Sequence, residues 1–163
     1  MALSIPDLST PLFSFFSDPP DNIQDCAQKW ADAMFAYVNL KLNPLPLNTV
    51  AAREAFVPLL VLAFTSSNSN TGDCNSLAIE NAFKYFTAIL AEGMVTSSTP
   101  AGTVVEAVAP PLYIGFCDIT REHTNHGAAA LEFAIEIDTW MKTGTALVQV
   151  SPPPANPVSI NWS

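Results

Sequence analysis

The chain has 163 residues and a formal net charge of −9, with 15 acidic residues against 6 basic ones, and 49% of it is hydrophobic. That length points to one domain able to bury roughly two-thirds of its unfolded surface, and the apolar content excludes a disordered chain. The acidity excludes direct nucleic-acid binding and docking on an anionic membrane, because phosphates would be repelled and no Lys/Arg stripe exists to release counterions.

Residues 1–7 (Met-Ala-Leu-Ser-Ile-Pro-Asp) have neither a basic start nor an apolar run, so they do not read as a signal peptide. Residues 1–20 read as an extended, proline-punctuated N-terminal arm carrying an apolar patch of Leu12, Phe13, Phe15 and Phe16. The patch is either a staple over the domain's own core or an exposed anchor for a partner.

Asp18-Pro19-Pro20-Asp21 suits a helix start. From Ile23 the apolar positions Cys26, Ala27, Trp30, Ala33, Met34, Tyr37 and Val38 repeat at i, i+3, i+4 and i+7, which predicts an amphipathic helix ended by Asn43-Pro44. A second helix is expected from Asn48 or Thr49 to about Phe64, kinked or split at Pro58 and buried centrally, since it is apolar nearly all round. A third begins near Asp73 and closes at Gly93, with the stripe Ile79, Ala82, Phe83, Phe86, Ile89, Leu90.

Residues 103–116 read as short extended segments around Pro110-Pro111, with helix or strand undecided. A last helix is expected from about Thr120 to Lys142, its core face made of Leu131, Ala134, Ile135, Ile137, Trp140 and Met141, closed by Gly144. Residues 146–163, with Pro152, Pro153, Pro154 and Trp162, read as an extended C-terminal arm. The expected fold is therefore mostly α: a compact bundle of about four helices over residues 21–145, with proline-rich arms at both ends.

Chemistry is sparse in this sequence. His123 and His126 are the only histidines, three apart, and with Cys117 or Asp118 could hold zinc as a small metal-dependent enzyme; without a second Cys/His group, the histidines read better as solvent-facing. Cys117 and His123 as nucleophile and base lack support beyond their presence. Glu132 and Glu136, four apart, read as a solvated helix face. Cys26, Cys74 and Cys117 read as reduced core thiols. No glycine-rich phosphate loop is present. No metal or cofactor is expected, and no catalytic residue is assigned.

The segment Ile137-Asp138-Thr139-Trp140-Met141-Lys142-Thr143-Gly144-Thr145-Ala146, followed by a proline-rich passage and Asn161-Trp162-Ser163, resembles small structural proteins of tailed bacteriophages. Trp30-Ala31-Asp32-Ala33-Met34, and Ala82-Phe83 leading to Glu92-Gly93-Met94, are similar in layout. The resemblance implies a non-enzymatic virion component of the neck, tail or baseplate, made in the host cytoplasm. Its partners would be copies of itself and other virion proteins. On this reading the arms dock on adjacent subunits through Leu12, Phe13, Phe15, Phe16, Pro152, Pro153, Pro154 and Trp162, and removal of residues 147–163 leaves the domain folded. A soluble acidic adaptor or inhibitor is the further alternative.

Overall fold

A computed structural model describes residues 3–67, 74–111, 116–117, 125–150 and 156–163. In chain order these hold α1 (Ile5–Ser17), α2 (Ile23–Val38), α3 (Thr49–Ser66), α4 (Ser76–Met94), β1 (Ser98–Thr99), β2 (Gly102–Val108), α5 (His126–Met141), β3 (Thr145–Val150) and β4 (Val158–Asn161). The protein is mostly helical, as its periodicity predicts, and adds a four-stranded antiparallel sheet in the order β1-β2-β3-β4.

Helix α2 forms where the apolar stripe predicts. Asn22 caps it, its side chain accepting from the Asp25 backbone N–H at 2.8 Å and so satisfying one orphan donor of the first turn. Asn75 does the same for α4, accepting from the Ala78 N–H at 3.1 Å. Helix α3 packs between α2 and α4. It runs through Pro58 without being split there, and it is not buried all round: Thr49, Ala52, Phe56, Leu60 and Ala63 face inward while Leu62 lies in solvent. Among the described residues it is also the one helix long and apolar enough to cross a bilayer by length and composition.

The core is an aromatic cluster centred on Trp30. Its indole meets the rings of Phe15, Phe16, Phe83, Phe116 and Phe133 at centroid distances of 5.2–6.3 Å. Phe56 extends the cluster to Phe83 and Phe86, at 5.0 Å from each. Tilted and edge-on pairs of this kind each add about 0.5–1.5 kcal/mol beyond the area they bury.

Both predicted arms are corrected. Residues 5–17 are not extended but helical, with a proline in the first turn where a missing N–H is harmless, and Leu8, Leu12 and Phe15 point into the core against α2 and α5. Lys41 grips this helix through Asp7 at 3.0 Å. At the other end, residues 145–150 and 158–161 are β3 and β4, hydrogen-bonded partners in the sheet. Trp162 is buried, donating from its indole N–H to the Thr145 carbonyl at 3.2 Å. The adjoining Ser163 exchanges backbone hydrogen bonds with Asn43 at 2.8 and 3.0 Å. Removing residues 147–163 would therefore take out part of the sheet and core rather than a dispensable tail. Pro152, Pro153 and Pro154 lie outside the described residues.

Two glycines expected to stop helices serve close approach instead. A Cβ on Gly144 would sit 2.5 Å from the Trp162 ring, and one on Gly93 would sit 1.8 Å from the Asn48 side chain. Neither has the left-handed backbone of a helix-closing glycine.

The cysteines differ from expectation as well. Cys74 and Cys117 are joined in a disulfide with Cα atoms 5.8 Å apart, and Cys26 alone is a free thiol.

Candidate functional site

The last helix has its inward face rotated from the predicted one. Ala130, Phe133, Ala134, Ile137, Asp138, Trp140 and Met141 are buried, whereas Leu131 and Ile135, assigned to the core from sequence, are 48% and 43% exposed. This face carries Asp138 inward, where its burial would be costly if the carboxylate were left alone. Tyr37 on α2 donates its hydroxyl to Asp138 Oδ1 at 2.6 Å, and Lys142 meets Oδ2 at 2.7 Å. Burial first, then the hydrogen bond to this carboxylate, pushes the Tyr37 hydroxyl far above the ordinary phenol range. The triad is a polar rivet between α2 and α5.

With that rotation, Leu131 and Ile135 stand one turn apart on the outside of α5, and Leu131 lies beside α1. Phe13, half exposed at 51%, leans against α5 at Gly127, where an added Cβ would come within 3.6 Å of its ring. Ser9, Thr10, Phe13, Gly127, Ala130 and Leu131 line a shallow groove of about 250 Å³ between the two helices. The small residues on the floor create the groove, and Phe13 and Leu131 form apolar walls.

Of the residues proposed to contact partners, the structure therefore leaves Phe13 at the surface. Leu12, Phe15 and Trp162 are committed to the chain's own core, and half-buried Phe16 packs on Phe15, Trp30 and Phe133. An aromatic run read linearly does not reveal which rings face inward; helical periodicity, applied to 5–17, separates Leu8, Leu12 and Phe15 from Phe13.

A second feature lies at the α1–α2 junction, where Asp18, Asp21, Asp25 and Asp32 border an open cleft of about 450 Å³ with Gln28 and Lys29. Part of its charge is already engaged: Asp25 takes the Asn22 amide at 2.7 Å, and Asp32 pairs with Arg53 at 2.6 Å.

Of the histidine cluster, Cys117 and His126 are among the described residues. His126 opens α5 and is exposed, beside the capping Asn125, which accepts from Gly127 and Ala128. Cys117 is engaged in the disulfide, so it is not a thiolate ligand or nucleophile in this state. His123 and Asp118 lie outside the described residues. Among the described residues no three His, Cys, Asp or Glu side chains gather as metal ligands. Glu132 and Glu136 are half-buried, one turn apart on α5.

No family model, curated protein or solved structure matches this chain.

Proposed function

We propose that this chain is a non-enzymatic structural component that associates with copies of itself and with other proteins, and that its setting is the neck, tail or baseplate of a phage virion. The observation that carries the assembly reading is the α1–α5 face, where the exposed Phe13 and Leu131 flank a groove floored by small residues, with Ile135 exposed one turn further along α5. Exposed apolar side chains grouped in this way on an otherwise acidic protein suit a contact surface, because leaving them in water forfeits the free energy of burial. The virion setting rests on the resemblance of residues 137–146 and 161–163 to phage structural proteins. A compact helical bundle remains part of this proposal.

Native mass spectrometry across a concentration series tests the assembly reading. A defined multimer is expected, and Phe13→Ser combined with Leu131→Ser should convert it to monomer with little loss of thermal stability. A chain that stays monomeric at every concentration, alone and with candidate virion partners, removes the proposal.

The aspartate-bordered cleft favours one other reading, an acidic adaptor for a basic partner. Its association would weaken steeply with added salt, whereas contact through Phe13 and Leu131 would not.

A further inference from the structure

We propose that the Cys74–Cys117 bridge is a redox-sensitive clasp that seats Phe116 in the aromatic core, so that the fold is completed only under oxidising conditions. Phe116, next to Cys117, is 5% exposed, and its ring reaches four helices at once: Trp30 of α2 at 5.2 Å, Phe64 of α3 at 6.5 Å, Phe83 of α4 at 5.9 Å and Phe133 of α5 at 5.0 Å. The other end of the bridge stands on a fixed junction. Cys74 precedes Asn75, which caps α4, bonds its amide to the Ser66 hydroxyl at 2.8 Å and its backbone N–H to the Ser67 hydroxyl at 3.0 Å. The disulfide thus ties the ring that joins four helices to the corner between α3 and α4, closing a sequence separation of 43 residues.

The two sulfurs differ in access. Cys117 is buried and Cys74 only half-buried, so Cys74 is the sulfur that solution thiols reach first. In formation, the Cys74 thiolate attacks an organic disulfide such as oxidised glutathione, expelling one glutathione thiolate that takes up a proton. The Cys117 thiolate then attacks the Cys74 sulfur of the mixed disulfide and expels the second. Two protein thiols are oxidised and one glutathione disulfide is reduced to two thiols. A dithiol such as dithiothreitol reverses the sequence: one thiolate attacks Cys74 and leaves the electron pair on Cys117, which is protonated. Its second thiolate then closes on the first sulfur, releasing Cys74 as a thiol and forming the cyclic disulfide of dithiothreitol. Because thiols stay reduced in most cytosols, the clasp would close after the chain leaves such a compartment.

The experiment uses the full chain. Alkylation in denaturant should modify one cysteine before reduction and three after it. Dithiothreitol added to the folded protein should open the bridge, shift tryptophan emission as Phe116 leaves Trp30, and lower Tm by about 10 °C. The helical signal at low temperature should persist, and oxidised glutathione should restore both properties. The double variant Cys74→Ser/Cys117→Ser should behave as reduced protein and ignore dithiothreitol; should it not fold, the reduction of the native chain still decides. Three reactive cysteines before reduction overturn the proposal. So does a bridge that opens only in denaturant, or reduction that leaves emission and Tm unchanged. Loss of the helical signal on reduction also overturns it, because the bridge would then be an obligatory staple.

Discussion

The two ends of this chain carry similar proline-rich, aromatic sequence and are fastened in different ways. The N-terminal end is a helix held by a distributed stripe, Leu8, Leu12 and Phe15, plus the Asp7–Lys41 ion pair. The C-terminal end is a four-residue strand, β4, finished by one indole in a slot left open by Gly144 and by a reciprocal pair of backbone hydrogen bonds between Ser163 and Asn43. A stripe shares its free energy among several side chains, whereas a single anchor concentrates it.

The largest effect expected from that contrast is Trp162→Ala, which should cost about 3–5 kcal/mol and expose the amides of residues 158–163 to hydrogen exchange. Leu12→Ala should cost about 2–5 kcal/mol while leaving the α1 amides protected, because Leu8 and Phe15 still dock it. Equal loss of protection at both ends would break the comparison.

Gly144→Ala tests the slot from its other wall. The added methyl meets ring atoms rather than the loose tip of a side chain, so a loss of about 1–3 kcal/mol is expected in a melting experiment, confined to the C-terminal end.

The α2–α5 rivet on which α1 packs should respond to alkali. The Tyr37 hydroxyl holds its proton more tightly when folded, so its contribution is complete below the unfolded phenol value near pH 10. Above that pH, stability should fall by about 1.4 kcal/mol per pH unit at most. Tyr37→Phe should flatten this limb in denaturant titrations run at successive pH values.

The smallest effect is on the acid side. Asp7 is held below the ordinary carboxylate range, first by the Ser4 hydroxyl and then by Lys41, so its contribution is present above about pH 4 and lost as the pH falls further. Residues 156–163 contain no titratable side chain. Acid should therefore loosen α1 before β4, as judged by exchange protection, and Asp7→Asn should abolish that order.

What the linear sequence determined is local. The i, i+3, i+4 spacing from Ile23 placed α2, the stripe from Ile79 placed α4, and both lie where their apolar faces require, because a helix with one greasy side has few other stable options. The mostly helical class followed from the same periodicity. Candidate surface residues were harder to read: Phe13 was named only together with Leu12, Phe15 and Phe16, and Leu131 and Ile135 were assigned to the core.

Tertiary structure decided the rest. Asp138 lies on the inward face of α5 and finds its partner in Tyr37, 101 residues away, so no window along the chain contains both. Residues 145–150 and 158–161 became strands because β2 supplied hydrogen-bond partners for β3, and β3 for β4, which outweighs the proline content around them. Cys74 and Cys117 became a pair because folding brought their Cα atoms to 5.8 Å, whereas their spacing in sequence says nothing of that approach. Local spacing dictates which face of a helix is apolar; which apolar and polar groups find one another is settled only when the helices close on a shared core.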